Sequence, residues 1–92
     1  MSSSKIYSEN ERPVNAWCDP SALHVRLADG REVTTPLWWY PRLFKATPGQ
    51  RNNIELMRDG VHWPDVDEDL SIRGMLSGWK YPEAVKPKNK AA

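Results

Sequence analysis

The sequence has a single cysteine, Cys18, so it can form neither an internal disulfide nor a cysteine metal cluster. It also lacks any apolar run approaching the roughly 20 residues that a membrane-spanning helix needs. The first residues, Met1–Lys5, do not contain the apolar stretch of a secretory signal. From these three absences we expect a protein of the reducing cytoplasm with no membrane association.

A strong net charge is also missing, since 13 basic residues stand against 12 acidic ones and the net charge is +1. The charge is unevenly distributed along the chain. Four lysines and one glutamate give residues 80–92 a charge of +3, which leaves −2 for residues 1–79. A slightly acidic body is a poor match for a nucleic-acid-binding domain, so such binding would have to use the basic tail.

Ninety-two residues are enough for one small domain with one modest core. Residues 1–12 are polar and unpatterned, which predicts a flexible N-terminal segment. Residues 80–92 are rich in lysine, proline and alanine, which predicts a disordered basic tail. The folded domain is therefore expected over residues 13–79.

Side-chain alternation and parity across a turn predict three strands in the first part of the domain, over residues 14–18, 22–27 and 31–37. Residues 14–18 and 22–27 each alternate apolar and polar positions, which is the period of a half-buried strand. A three-residue turn over residues 28–30 sets Val25 opposite Val33 and keeps the apolar side chains on one face. A two-residue turn would put the two apolar sets on opposite faces, so we choose the longer turn.

The same parity argument predicts a second hairpin over residues 54–63. Here a tight two-residue Asp59-Gly60 turn of the primed type places Leu56 opposite Trp63. The apolar residues of both strands then share one face.

Two short helices are predicted between the hairpins. Pro41 suits the first position of a helix, in which Leu43 and Phe44 would face the core. Thr47 and Gln50 have the spacing of a capping box and predict about one helical turn from Thr47 to Asn52.

One further helix is predicted near the end of the domain. Ser71 can cap a helix over 72–77 that ends at Gly78, with Met75 and Leu76 facing inward. The expected fold is a small single α+β domain. It has an N-terminal strand, two β-hairpins, short helices between the hairpins and one C-terminal helix.

Several segments together resemble the bacterial domain-of-unknown-function 2442 family, and the resemblance covers roughly residues 14–78. The segments are Trp39-Tyr40-Pro41-Arg42-Leu43, Ala46-Thr47-Pro48, Gln50-Arg51-Asn52-Asn53, Gly60-Val61-His62-Trp63-Pro64 and Asp67-Glu68-Asp69-Leu70-Ser71-Ile72, with Leu76 and Gly78.

The resemblance implies a small bacterial or phage-borne α+β protein without established catalytic residues. Some members of the family are linked to a helix-turn-helix domain, and others have been proposed as the antitoxin of a toxin–antitoxin pair. Only 14 residues follow Gly78 in this sequence, which is too few for a helix-turn-helix, so direct operator binding is not expected.

Aromatic residues are the strongest candidates for a binding site. Trp38 and Trp39 are adjacent and must point in different directions, so at least one should be partly exposed. Tryptophan, tyrosine and arginine are the residues most enriched at binding hot spots. We therefore predict a partner-binding surface of Trp38, Trp39, Tyr40, Arg42 and Trp79, while a purely structural role in the core is the alternative for most of these aromatics.

No catalytic set or metal site is predicted. Asp65, Asp67 and Asp69 alternate, but the glycine and glutamate of a calcium loop are missing; a weak magnesium site and a role in capping the last helix both remain open. His62 stands alone on a strand without a nucleophile placed beside it, and we expect a structural role. Cys18 is expected to be an ordinary buried residue. No cofactor is predicted.

These observations predict a non-enzymatic protein-binding module, antitoxin-like or inhibitor-like, from a bacterium or mobile element. One alternative is a phage-borne inhibitor of a host defence system, such as an anti-CRISPR protein. Another is a weak nucleic-acid-binding or regulatory protein. An exposed edge strand near residues 14–18 would also allow a homodimer.

Overall fold

Alternating apolar residues build the first of two antiparallel sheets, which has the strand order β1-β2-β3. The computed structural model describes residues 9–87, and the strands are β1 (Pro13–Cys18), β2 (Ala22–Leu27) and β3 (Glu32–Pro36). Later residues form the second sheet, which consists of β4 (Glu55–Leu56), β5 (Gly60–Trp63) and β6 (Glu68–Ser71) in the order β4-β5-β6. Short helices lie between and after the sheets, so the fold is α+β, as the sequence predicted.

The predicted three-residue turn between β2 and β3 is confirmed. Val25 lies opposite Val33, and Leu23 lies opposite Thr35. Gly30 has φ +97°, a left-handed conformation that a side chain would disfavour. The inward side chains of β2 are fully buried as a result of this register.

Two short α-helices follow β3 after a 3₁₀ turn at Leu37–Trp39. The first helix, α1 (Pro41–Phe44), begins with proline at its first position, as predicted. Leu43 is buried in the core, but Phe44 is 37% exposed, so the expectation that both side chains face inward was wrong for Phe44.

The second helix, α2 (Pro48–Arg51), has the predicted capping box. The Thr47 hydroxyl accepts from the Gln50 backbone N–H at 3.2 Å, and the Gln50 side chain accepts from the Thr47 N–H at 3.0 Å. The backbone N–H groups of Thr47 and Gln50, which have no acceptor within the helix, are both hydrogen-bonded in this way.

The second sheet begins with a hairpin whose predicted register was wrong. In β4 (Glu55–Leu56) and β5 (Gly60–Trp63), Leu56 lies opposite Val61 rather than Trp63. The Met57 N–H donates to the Gly60 carbonyl at 2.9 Å, so Gly60 is part of the strand and not of the turn.

Close packing explains the glycine at position 60. Gly60 does not have a positive φ, and a Cβ there would lie 2.5 Å from the Leu70 carbonyl oxygen. The residue is glycine because the neighbouring strand approaches it, and not because a primed turn requires it.

A sixth strand, β6 (Glu68–Ser71), was not predicted. It pairs with β5, with Val61 opposite Leu70 and Trp63 opposite Glu68. The acidic segment that the sequence analysis placed in a helix-capping region therefore completes a three-stranded sheet.

The last helix, α3 (Ile72–Ser77), has both predicted ends. The Ser71 hydroxyl accepts from the Gly74 N–H at 2.9 Å, and Gly78 ends the helix with φ +84°. Met75 is buried as expected, whereas Leu76 is 39% exposed and its predicted inward orientation was wrong.

One core joins the inner faces of the two sheets and the helices. The Trp63 indole is fully buried and donates to the Arg51 carbonyl at 2.8 Å, which ties β5 to α2. The cluster consists of Leu23, Val25, Leu27, Leu37, Tyr40, Leu43, Val61, Trp63, Leu70, Ile72 and Met75.

Both predicted termini lie partly outside the described residues, since residues 1–8 and 88–92 are not included. Within the predicted N-terminal segment, Glu9–Glu11 form a 3₁₀ turn. Within the predicted tail, the Tyr81 side chain packs against the core.

Candidate partner-binding surface

The five predicted site residues differ in exposure. Arg42 and Trp79 are exposed, and Trp38 and Trp39 are each half-buried. Tyr40 is fully buried, and its hydroxyl donates to the Thr35 hydroxyl at 3.0 Å. Tyr40 is thus a core residue, while the other four reach the surface.

A C-terminal segment that we call the strap, residues 79–87, brings these aromatic residues together. The Trp79 N–H donates to the Gly74 carbonyl at 2.9 Å, which continues the end of α3. The Tyr81 N–H donates to the Trp39 carbonyl at 3.1 Å. The Trp79 and Tyr81 rings meet edge to face at 4.7 Å, so the strap lies beside Trp39 with its two rings in contact.

A buried carboxylate fixes the position of Tyr81. Glu68 is only 1% exposed, and its Oε2 accepts from the Tyr81 hydroxyl at 2.7 Å and from the Asp69 N–H at 3.1 Å. Its other oxygen, Oε1, is buried and has no hydrogen-bond partner in the described part of the chain. This contact was missed because Glu68 and Tyr81 are 13 residues apart and no local pattern joins them.

The acid–base properties of this pair follow from its enclosure. Burial raises the pKa of Glu68, and the hydroxyl of Tyr81 and the charge of Arg42 oppose that rise. Burial, and then the hydrogen bond to Glu68, raises the pKa of Tyr81 to about 12. The tyrosine therefore remains a donor at physiological pH.

The strap forms a wall of two hollows. The first, which we call the α3 hollow, has a volume of about 470 Å³ and lies between β6, α3 and the strap. Trp79, which is 46% exposed, stands at its edge, and Met75 and Tyr40 line it from the core side.

The second hollow, which we call the α1 hollow, has a volume of about 440 Å³. It is lined by Trp38, Pro41, Phe44, Lys45, Glu83 and Val85. Val85 is 75% exposed, so apolar side chains of both α1 and the strap face solvent here. Arg51 holds the end of α1 in place by donating to the carbonyls of Leu43 at 2.9 Å and Phe44 at 2.8 Å.

A histidine–carboxylate pair lies on the β6 side of the α3 hollow. Asp69 lines the hollow, and its Oδ1 lies 2.6 Å from Nδ1 of His62 on β5. The hydrogen bond to Asp69 raises the pKa of His62, and the charges of Asp69, Glu55 and Asp67 add to that rise. The raised pKa keeps the imidazolium beside the Asp69 carboxylate up to a higher pH, so the two charges compensate each other next to the hollow.

The three alternating aspartates bind three different groups. The Asn53 amide donates to Asp65 at 3.1 Å, Arg42 donates to the Asp67 carbonyl at 2.9 Å, and Asp69 pairs with His62. Among residues 9–87, no group of three histidine, cysteine or carboxylate side chains is placed to hold a metal ion.

A polar cluster on the outer face of the first sheet was also missed by sequence reasoning. The Trp17 ring stacks on His24 at 5.3 Å, and His24 Nε2 lies 2.6 Å from Asp19. The hydrogen bond to His24 lowers the pKa of Asp19 to about 2. Trp17 and His24 lie opposite each other on β1 and β2, so cross-strand register brings them together.

Cys18 is half-buried, and burial raises the pKa of its thiol to about 11. A thiol with a raised pKa has little thiolate at neutral pH and is a poor nucleophile.

Comparison with known proteins gives a family and a fold. The model of the DUF2442 family, described as a protein of unknown function, matches residues 13–81. A similar solved structure is the crystal structure of a protein of unknown function from Rhodospirillum rubrum ATCC 11170. It has a TM-score of 0.69 and 27% sequence identity, over 79% of this chain and 93% of that chain. No curated protein matches the chain in sequence.

No helix in residues 9–87 has the length and apolar character needed to cross a membrane.

Proposed function

The chain belongs to the DUF2442 family of proteins of unknown function, and from this starting point we propose that it is a non-enzymatic protein-binding module. Its action would be that of an antitoxin or of an inhibitor, including a phage-borne inhibitor of a host defence system, which occupies another protein. We also propose a cytoplasmic location, which the single cysteine supports.

The observation that carries this proposal is the strap with its two hollows. Trp79 and Val85 expose 46% and 75% of their surface, and Phe44 exposes 37%, so apolar side chains face solvent along both sides of one segment. Clustered exposed apolar groups beside concave surface are characteristic of protein interaction sites. The two hollows together offer space for two protruding side chains of a partner.

The chemistry of the partner follows from the charges around this surface. Asp69 lines the α3 hollow and Asp67, two residues earlier, is also exposed, whereas Glu68 between them is buried. A partner with basic residues around its apolar contact groups would complement this edge, and complementary charge increases the association rate and the specificity.

The polar groups of the surface support binding rather than catalysis. In the α3 hollow, Ser71 caps α3 and Asp69 pairs with His62, so both already have structural partners. Each of these groups contributes to the rigidity of the surface, and a rigid surface loses little entropy when a partner binds.

The proposal is tested by affinity purification from a bacterial lysate with the full chain as bait. We expect a stoichiometric partner for the wild type and loss of that partner when Trp38→Ala or Trp79→Ala is the bait. Truncation of a hot-spot aromatic weakens binding by about 2 kcal/mol or more, which is roughly 30-fold in Kd.

Leu56→Ala is the matched control, because Leu56 is 44% exposed but lines neither hollow. Equal capture by all four baits, with folding confirmed by circular dichroism, would refute the proposal. Capture of nucleic acid that disappears at high salt would favour the nucleic-acid alternative. Self-association that responds to changes in β1 would favour the homodimer.

A further inference from the structure

One edge of the first sheet lies along β3, because the strand order is β1-β2-β3. The Leu27 N–H donates to the Arg31 carbonyl at 2.8 Å, and the next pair along the ladder is Arg26 with Glu32. In an antiparallel ladder, hydrogen-bonded pairs alternate with pairs whose backbone groups point away from each other. The backbone N–H and carbonyl groups of Glu32 and Thr34 therefore point away from β2, to the open edge.

This edge of β3 is accessible and its donors are free. Glu32 and Thr34 are both exposed. In the part of the chain that the structure describes, neither of their N–H groups has a hydrogen-bond partner. Pro36, the last residue of β3, has the same orientation, and its nitrogen carries no hydrogen. The edge can therefore donate at Glu32 and Thr34 but not at Pro36.

Side chains already bond outward N–H groups on two other edge strands. On β1, the Ala16 N–H donates to Oδ1 of Asn15 at 2.9 Å, and the Cys18 N–H donates to Oδ1 of Asn52 at 3.1 Å. On β6, the Glu68 carboxylate accepts from an outward N–H in the same way. An edge strand whose donors are left free is a site for pairing with a further strand.

The β3 strand of a second copy has the groups that complement this edge. In an antiparallel pairing around a twofold axis at Val33, Glu32 of each chain lies opposite Thr34 of the other. The two residues of such a pair exchange both N–H···O=C bonds. Every N–H and carbonyl that Glu32 and Thr34 direct to the edge then has a partner.

The neighbouring registers are less favourable. An axis at Thr34 would place Glu32 opposite Pro36, which cannot donate a hydrogen bond. An axis at Glu32 would place two carboxylates directly opposite each other, and like charges in that position are destabilising. The axis at Val33 avoids both of these defects.

Val33 adds an apolar contact at the axis. It lies opposite Val25, is half-buried, and packs against the edge of the core. Around the axis the two Val33 residues form a non-hydrogen-bonded pair, the arrangement in which opposite side chains are closest. The accessible part of each Val33 is then covered by the other, and burial of apolar surface favours association.

From these features we infer that two copies of this chain pair through their β3 strands around a twofold axis at Val33, which joins their first sheets into one antiparallel sheet. None of the residues that line the α3 hollow or the α1 hollow belongs to β3. The pairing therefore does not depend on the proposed function, and a dimer presents the partner-binding surface twice.

The test is sedimentation velocity of the full chain from about 10 μM to about 1 mM, because small interfaces give weak association. The wild type should change from monomer to dimer within this range. Thr34→Pro removes an outward N–H without removing a bond to β2, so this variant should stay monomeric.

Thr34→Ala is the matched control. Both variants lose the contact of the Thr34 hydroxyl with His24, but alanine keeps the backbone N–H. The Thr34→Ala variant should dimerise as the wild type does, so a difference between the two variants reports the edge hydrogen bond.

Two charge variants test the register. Thr34→Glu places a carboxylate opposite Glu32 of the second copy and should weaken dimerisation at least tenfold. Exchange of the two residues, Glu32→Thr together with Thr34→Glu, again places a threonine opposite a glutamate and should restore most of the affinity. A double variant as weak as Thr34→Glu alone would overturn the axis at Val33.

Hydrogen exchange in the wild type locates the interface without any substitution. The Thr34 amide should exchange at least tenfold more slowly at the highest concentration than at the lowest, and the Ala16 amide should not change. A wild type that stays monomeric, a folded Thr34→Pro variant that dimerises normally, or protection of Ala16 instead of Thr34 would each overturn the inference. Lysate capture that depends on Trp38 and Trp79 would stand in all three cases.

Discussion

At the scale of single residues, Glu68 is a buried carboxyl group with an incomplete set of hydrogen bonds. It is enclosed by protein, and within residues 9–87 only one of its two carboxylate oxygens has a hydrogen-bond partner. A raised carboxyl pKa means that the native state binds the proton more tightly than the unfolded chain does. The resulting contribution to stability is complete below the ordinary pKa of 4.5 and is lost as the pH rises through the raised value.

Tyr81→Phe should expose the cost of this burial. The substitution removes the only side-chain donor of Glu68 among the described contacts and leaves the buried carboxyl group with one backbone donor. We expect a loss of about 1–3 kcal/mol in the free energy of unfolding at pH 7, measured by urea titration. At pH 4 the loss should shrink, because more of Glu68 is then protonated and carries its own proton.

Tyr40→Phe is the matched control for that experiment. Its hydroxyl is also buried, but it donates to the neutral hydroxyl of Thr35. We expect a loss of about 1 kcal/mol that is the same at pH 7 and pH 4. Equal pH dependence in the two variants would contradict the assignment of the Tyr81 effect to the charge on Glu68.

At the scale of secondary-structure elements, the contact of β5 with β6 depends on the absence of a side chain at position 60. Gly60→Ala would place a Cβ 2.5 Å from the Leu70 carbonyl oxygen, which belongs to the backbone and cannot rotate away. We expect the free energy of unfolding to fall by about 1–3 kcal/mol, measured by urea or thermal unfolding.

Gly49→Ala in α2 gives the opposite expectation. No heavy atom lies within 4 Å of a Cβ at position 49, and its φ is not positive. Alanine is favoured over glycine in a helix by roughly 0.5–1 kcal/mol, so this variant should be as stable as the wild type or slightly more stable. Destabilisation by both substitutions would show that close packing at Gly60 is not the cause.

The pairing of β5 with β6 also has a pH-dependent component, at His62 and Asp69. The pKa of His62 is raised in the folded protein, so its contribution to stability is complete below the ordinary pKa of 6.5 and is lost as the pH rises through the folded value. Asp69→Asn should lower the His62 pKa toward 6.5, as measured by NMR titration of the imidazole.

Asp65→Asn is the control, because Asp65 bonds to Asn53 and does not contribute to the His62 shift. The His62 pKa should not change in this variant. An equal decrease in both variants would assign the shift to overall charge rather than to the cross-strand pair.

These elements differ in how far the sequence predicted them. The first hairpin was predicted with the correct register because a one-residue slip would have moved its apolar residues to the other face. In the second hairpin the true and predicted registers differ by two residues. Such a slip keeps the same side chains on the same face, so parity could not distinguish the two registers.

The candidate site was only partly predictable, because the burial of its residues depends on contacts between residues that are not neighbours in the sequence. Exposed tryptophans could be inferred from their adjacency, but the burial of Tyr40 depends on Thr35 and the core around it. Strand β6 contains a buried glutamate, and its polar sequence gave no strand signal. Burial of Glu68 depends on Tyr81, which lies in a segment that local composition assigned to a tail.

At the scale of the whole molecule, the strap is bonded to three elements: α3, the 3₁₀ turn before α1, and β6. Its backbone bonds to the end of α3 through Trp79 and to the Trp39 carbonyl through Tyr81. The hydroxyl of Tyr81 adds a bond to β6. The match to the family model extends to residue 81 and so includes both rings of the strap.

Two truncations separate the structural and the binding parts of the strap. Removal of residues 82–92 keeps Trp79 and Tyr81 and should change the melting temperature little. Removal of residues 79–92 takes away both rings and the donor of Glu68, and we expect a loss of at least about 2 kcal/mol, or roughly 10 °C in Tm.

The shorter truncation also tells the two hollows apart. It removes Glu83 and Val85 from the α1 hollow, whereas none of the main lining residues of the α3 hollow lies beyond Trp79. A partner whose dominant contact is in the α3 hollow should therefore bind this truncated chain with nearly the affinity of the full chain, as measured by calorimetry. A large loss of affinity with an unchanged melting temperature would instead place the dominant contact in the α1 hollow, because only that surface has lost its wall.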